Sequence, residues 1–239
     1  MWLATLAFCH FSFASTDVSF WNSSVNNRLN QIEVRAVLQD GSGALWFATQ
    51  EGLTRYNGVR ADTFSAANSE SGGLQPGEVR SFSVSTEGHL WVLTNTLQVF
   101  VPETQSFSVF PELDDTLFPN TIAFDADGLL WVGLDGAVGL INTATGSVET
   151  FELPEMLQFI PEQRASPSSL LVKLLPYRET VLGVNSLGVF EFRKSSSGTV
   201  VITPLTDFTE LVSSAVSTAE ISGGNLFVGT VLDLSLIHI

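Results

Sequence analysis

The chain has 239 residues, 44% hydrophobic and only 15% charged, with a formal net charge of −15. Such a chain is too apolar for disorder and long enough to bury a good core. Its eight arginines and two lysines are scattered and form no basic stripe, which argues against a nucleic-acid partner.

In chain order, Met1 to Ser15 is apolar and ends in small residues. It resembles the later part of a secretory signal peptide, with Ser12-Phe13-Ala14 fitting a small-x-small cleavage site. The basic start of such a peptide is missing, and an ordinary first strand is the alternative. The sole cysteine, Cys9, lies inside this leader, so the mature chain would carry no disulfide. Asp17 to Ile32 is polar and irregular and leads into the first repeat.

Val34 to Gly58 is the first structured unit. Val34, Ala36 and Leu38 alternate with Arg35, Val37 and Gln39, the period of a strand. Asp40-Gly41-Ser42-Gly43 breaks the pattern with turn formers. Ala44 to Thr49 is apolar on both faces, as expected of a strand covered on both sides. Gln50-Glu51-Gly52 turns the chain, Leu53 to Tyr56 gives a third strand, and Asn57-Gly58 leads to a fourth over Val59 to Phe64. The unit is a four-stranded antiparallel meander centred on a tryptophan.

The unit recurs. Val79 to Phe110 and Thr121 to Phe151 each keep a turn ending in glycine (Gly88, Gly128) followed by Leu-Trp-Val. Leu170 to Thr203 is a weaker copy, with Val181-Leu182-Gly183-Val184 in the tryptophan slot. A fifth begins near Ala215, with Leu226-Phe227-Val228-Gly229 in that slot. Aligning Trp46, Trp91, Trp131, Val181 and Phe227 gives steps of about 40 to 50 residues, the period of a propeller blade. A blade has two apolar faces and buries them only by packing radially on neighbours. The predicted fold is an all-β propeller of four-stranded antiparallel blades, about five present, in an incomplete ring. Repeats fall near 34–64, 79–110, 121–151, 170–203 and 215–233, within a domain spanning 16–233.

Three segments join one repeat to the next: Ser65 to Gly77, Pro111 to Asn120 and Glu152 to Ser168. Loops on a rigid scaffold carry specificity, so the face bearing them is the candidate ligand surface. Leu234 to Ile239 looks like a translated sequencing-adaptor end. It is read as a non-native tail on a fragment of a longer protein, the alternative being a genuine last strand.

These residues carry a resemblance to the two-component regulator propeller repeat. Asp40, Gly43, Leu45-Trp46-Phe47-Ala48-Thr49, Gly52-Leu53 and Arg55-Tyr56-Asn57-Gly58 fall on its pattern. Gly73-Leu74 and Val79 are similar to its lead-in to the next repeat. The later repeats lack the Arg-Tyr-Asn-Gly ending. The resemblance implies the periplasmic sensing propeller of a bacterial transmembrane receptor. It further implies a homodimer of the full receptor, a glycan fragment or other small molecule as ligand, and a kinase or diguanylate cyclase output outside this chain. The membrane would be reached only through a downstream helix.

No catalytic, cofactor-binding or metal-binding residue stands out, and no ligand residue can be placed. His10, His89 and His238 are far apart, whereas metal ligation needs clustered ligands. Asp125-Ala126-Asp127-Gly128 lacks the later acidic ligands of a calcium loop and reads as a hairpin turn. Gln39 to Trp46 also resembles the Asp-box of sialidase-type propellers, where the box is structural. A sialidase-like glycosidase would need an arginine cluster for a carboxylate. Arg35, Arg55, Arg60 and Arg80 are available, but at surface-facing or repeat-bound positions. The chain is therefore expected not to be an enzyme itself, with a partner-binding scaffold propeller as the further alternative.

Overall fold

One turn sets the geometry of the repeats. In the first, Asp40 N–H donates to Ala44 O and Gly43 N–H to Asp40 O, both at 2.9 Å. Gly43 has φ +84°, a region in which a side chain is strained. The same pair of bonds closes Ser85 to His89 and Asp125 to Leu129. It closes Ser195 to Thr199 as well. Each turn returns the chain directly into an antiparallel strand.

The computed structural model describes residues 34–49, 52–66, 72–110, 119–134, 137–153, 171, 173–185, 188–205 and 216–230, and the backbone alone of 206–207 and 234–238. These form five antiparallel sheets, four of four strands and one of three. The first sheet holds β1 (Val34–Gln39), β2 (Leu45–Thr49), β3 (Gly52–Tyr56) and β4 (Ala61–Phe64). The second holds β5 (Ser81–Val84), β6 (Leu90–Leu93), β7 (Leu97–Val101) and β8 (Ser106–Phe110). The third holds β9 (Thr121–Phe124), β10 (Leu130–Gly133), β11 (Ala137–Asn142) and β12 (Ser147–Glu152). The fourth holds β13 (Lys173–Tyr177), β14 (Thr180–Val184), β15 (Gly188–Lys194) and β16 (Val200–Asp207). The fifth holds β17 (Val216–Ser222), β18 (Asn225–Thr230) and β19 (Leu234–His238). Strands pair in sequence order within every sheet, so each is a meander.

The core lies between sheets. Trp46, Ala48 and Leu53 pack on Phe82, Leu90, Val92 and Phe100 of the second sheet. Trp91, Leu93 and Leu97 pack on Ile122, Phe124, Leu130 and Val132 of the third. Trp131, Val138 and Leu140 meet Leu174, Val181, Phe190 and Phe192 of the fourth. Leu182, Val184 and Val189 meet Val216, Ala219, Leu226 and Val228 of the fifth. Each middle sheet thus contributes one face forward and one back, which is the stacking of propeller blades. Leu45 and Phe47, on the far face of the first sheet, are only half buried.

This packing corrects the repeat alignment at one point. Each tryptophan faces the next blade, but Val181 faces the previous one. Leu182 faces forward and is the true equivalent. The first hairpin of the fourth sheet closes with a two-residue turn at Arg178-Glu179, where Tyr177 pairs with Thr180. The other blades up to the third use the longer turn, and the difference slips the register by one, flipping every side chain.

The first strand of each sheet is innermost, since β5 lies beside β9 and β9 beside β13. Hydroxyls stitch these strands together. Ser81 Oγ accepts from Ile122 N at 3.1 Å, Ser83 Oγ from Phe124 N at 3.2 Å, and Thr121 Oγ1 from Leu174 N at 3.0 Å. Buried edge donors that no strand could reach are satisfied in this way.

The leader at 1–15 and nearly all of Pro111 to Asn120 and Glu152 to Ser168 lie outside the described residues, as does the middle of Ser65 to Gly77. Leu234–His238 pairs antiparallel with β18. A free sheet edge accepts any extended segment, so this pairing is independent of the segment's origin.

The Asp-box aspartates lock turn to core. Asp40 Oδ1 accepts from Ser42 N, Ser42 Oγ and Ala44 N, at 2.9, 2.6 and 3.1 Å. Its Oδ2 accepts from Trp46 Nε1 at 2.7 Å. Arg55 lies against the same carboxylate, its Nε 3.7 Å from Oδ2. Burial pushes the Asp40 carboxyl up, but the bonds from Ser42, Trp46 and Ala44 outweigh it and hold it below its ordinary value. A depressed folded-state value means stability present above the unfolded value of about 3.9 and lost as pH falls through the folded one. Unfolding stability should therefore drop more steeply below about pH 4 in the wild type than in Asp40→Asn, measured by urea denaturation across pH. Equal slopes would mean that the carboxylate carries no such linkage.

Candidate functional site: an axial pocket

The register of the inner strands brings one set of residues to a common height. Ala36 pairs with Ala48, Ser81 with Leu93, Thr121 with Gly133, Lys173 with Val184 and Thr218 with Gly229. Each partner stands two residues past the forward-facing position of its blade, so the five first-strand residues are equivalent. Ser81 and Thr121 use this height to stitch to the next blade, whereas the fourth blade carries an amine there.

One residue earlier lie Arg35, Arg80, Asn120 and Ser217. Arg35 and Ser217 sit where the register shifts, between Val34 and Ala36 and between Val216 and Thr218. Such bulges re-aim a side chain, often beside a site. Arg80 and Asn120 lie just ahead of β5 and β9, held by backbone bonds to Leu93 O and Gly133 O at 2.9 and 3.0 Å.

These side chains meet in one cavity of about 500 Å³, lined by Arg35, Glu78, Arg80, Asn120, Lys173, Ser217 and Thr218. All five sheets reach it through their first strands or the residues just ahead of them. It opens on the end where those strands begin, the face to which the inter-repeat segments return. Sequence alone points to ligand contacts on that face but puts Arg35 and Arg80 at surface-facing or repeat-bound positions. The structure brings both to the axis, because winding the blades round it gathers residues that are 40 or more positions apart. Arg60 and Arg55 stay elsewhere. Arg60 is on the outer turn beside Asp62, and Arg55 lies under the Asp40 turn.

The pocket's charges are unequally committed. Arg35 is ion-paired with Glu78. Arg80 donates to Pro119 O at 3.0 Å and to Asn95 Oδ1 at 3.3 Å. Asn120 Nδ2 donates to Leu171 O at 2.9 Å, which leaves its carbonyl oxygen. The Lys173 ammonium makes no hydrogen bond or ion pair among the described residues. Burial pulls its ammonium below the usual lysine range, and the Glu220 carboxylate opposes that pull. A half-buried cation with no direct hydrogen bond or ion pair is costly and favours an incoming anion.

The candidates for other chemistry lie elsewhere. Both oxygens of Asp125 are used, Oδ1 by Asp127 N and Leu129 N and Oδ2 by Trp131 Nε1. The turn is thus structural, its aspartate tying the hairpin to the tryptophan. His89 is half exposed on the opposite end of the ring, 3.4 Å from Glu87. Among the described residues no group of three or more His, Cys, Asp or Glu is placed to hold a metal ion, and no helix is long and apolar enough to cross a membrane.

Radially packed four-stranded meanders around an axial pocket define a β-propeller. Solved propellers similar to this chain include virginiamycin B lyase from Staphylococcus aureus, at a TM-score of 0.58 and 15% identity over 85% of this chain and 66% of that one. They also include an extracellular domain assigned to a hybrid two-component system of B. thetaiotaomicron, at 0.55 and 15% over 88% and 34%. A third is a gluconolactonase from Xanthomonas campestris, at 0.55 and 14% over 85% and 71%. The chain thus spans about two thirds of the lyase and about one third of the sensor domain. At these identities the likeness establishes the fold, and both enzymes and sensor domains share it. No family model and no curated protein sequence matches the chain.

Proposed function

We propose that this chain is the ligand-sensing propeller of an extracytoplasmic bacterial receptor, and that its axial pocket holds a small carboxylated ligand such as a sugar acid. Lys173 carries this reading: an ammonium that makes no hydrogen bond or ion pair among the described residues, in a cavity it shares with Arg80 and that all five described sheets reach. The choice of a sensor over an enzyme is supported by the resemblance of Val37 to Gly58 to the two-component regulator propeller repeat, and the fold is compatible with it, being shared by extracellular sensor domains as well as by enzymes. Ligand binding would act by population shift, favouring one arrangement of a receptor dimer by its differential affinity for the two. The output domain would lie elsewhere in the full receptor.

The test is calorimetric titration of the chain with sodium glucuronate and, in parallel, with neutral glucose. Glucuronate is expected to bind more tightly. Lys173→Met and Arg80→Ala should each weaken it by about tenfold, the loss of one charge-assisted bond. Equal binding of both sugars, or an unchanged affinity in both variants, would refute an anion site here.

One observation favours a second reading. Glu78 places a carboxylate in the same pocket, where it could serve as a general base. Turnover of glucono-lactone by the wild type, lost in Glu78→Gln, would support an enzyme.

A further inference from the structure

Trp91 differs from its two counterparts in a way that opens a second site. In the first and third blades the indole Nε1 donates to an aspartate carboxylate, Trp46 to Asp40 and Trp131 to Asp125, both at 2.7 Å. In the second blade Ser85 stands where those aspartates do. The turn itself is unchanged, with Ser85 N to His89 O and Gly88 N to Ser85 O at 2.9 Å. Ser85 Oγ is taken by His89 N at 3.2 Å. Trp91 is only 8% exposed, and among the described residues its Nε1 has no hydrogen-bond partner. The ring is buried, but Nε1 is not among the fully buried unpartnered atoms, so this donor remains accessible and is free to meet an acceptor from outside the chain.

That indole lines a cavity of about 330 Å³ between the second and third blades. The cavity is on the end of the ring opposite the axial pocket, among the first-hairpin turns. Its other walls include Glu87, His89, Asp127, Leu129 and Asn142. Asn142 Oδ1 already accepts from Ala144 N and Thr145 N at 3.0 and 3.2 Å, while its amide N–H groups have no partner among the described residues.

We infer that this cleft is a binding site for a neutral polyhydroxylated ligand, a saccharide unit. The indole offers a donor to the cleft, which a cationic ammonium cannot accept. The carboxylates of Glu87 and Asp127 repel an anion and require donors. A hydroxyl is both at once, accepting from Trp91 Nε1 and donating to a carboxylate. Leu129 and Phe124 line the cleft and supply apolar surface for a sugar's C–H face. The two ends of the ring therefore have opposite preferences, for an anion at the axis and for a neutral polyol here.

The test follows the tryptophan indole resonances of the ¹⁵N-labelled chain during titration with D-glucose, D-galactose and sodium glucuronate. The resonance absent from Trp91→Phe identifies Trp91. It should move with the neutral sugars at millimolar concentrations and less with glucuronate. Ser85→Asp restores the carboxylate to a turn already shaped for it, so the indole is satisfied internally and the response should disappear. Glu87→Ala/Asp127→Ala, on exposed turn positions, should weaken binding by about fivefold or more without displacing the free resonance. Arg80→Ala should leave this response intact, which separates it from the axial site. An immobile Trp91 resonance, a response that survives in Ser85→Asp, or a stronger response to glucuronate would overturn the inference.

Discussion

Trp131→Ala is expected to destabilise the chain by about 4 kcal/mol, the middle of the range for a buried aromatic replaced by alanine. Trp131 is 1% exposed and sits in the cluster that joins the third blade to the fourth. Its ring lies 6.0 Å from that of Phe192. Around it Val138, Leu140, Val181 and Phe190 are also fully or nearly fully buried. They belong to paired strands of two different sheets and cannot collapse into the space a removed indole leaves. The cost is therefore transfer free energy plus cavity. For a domain of this size it should appear as a fall of about 10 °C in the thermal midpoint by far-ultraviolet circular dichroism. A fall of only a degree or two would show that the third and fourth blades do not pack through this residue.

Asp125→Ala should cost about 3 kcal/mol, although no apolar contact is lost. The carboxylate accepts from Asp127 N, Leu129 N and Trp131 Nε1, and its residue is 6% exposed. Removing it leaves the indole donor of a fully buried ring without an acceptor, and frees two turn amides. Trp131→Phe removes the indole donor while keeping an aromatic in the core. In that background the cost of Asp125→Ala should shrink by about 1 kcal/mol or more, the coupling between the pair. Strict additivity in urea denaturation would mean that the carboxylate supports the turn alone.

Much of this architecture is written locally in the chain. The Asp-x-x-Gly turn and the continuous apolar run of Leu130 to Val132 specify a hairpin covered on both faces within one repeat, and repetition specifies stacking. The fourth blade escapes that pattern because its hairpin closes at Arg178-Glu179 without the longer turn, so composition alone leaves Val181 and Leu182 interchangeable. Only the neighbouring blades decide which of them faces forward. The axial pocket is illegible for a different reason. Arg35, Arg80, Asn120, Lys173 and Ser217 share no common residue type beyond the two arginines, and each comes from a different repeat. A faint signal exists: Arg35, Arg80 and Asn120 each stand eleven residues before Trp46, Trp91 and Trp131. That spacing places them together at the start of the inner strands once the blades are wound round an axis. The missing acceptor of Trp91 is equally hidden, since a serine for an aspartate at a turn looks neutral until the indole beyond it is seen.

A crystal structure of the chain grown with sodium glucuronate addresses the axial pocket most directly. The account predicts the carboxylate within hydrogen-bonding distance of Lys173 Nζ, with Arg80 or Asn120 against the sugar. Glucuronate bound on any other surface, with Lys173 facing solvent alone, would contradict it.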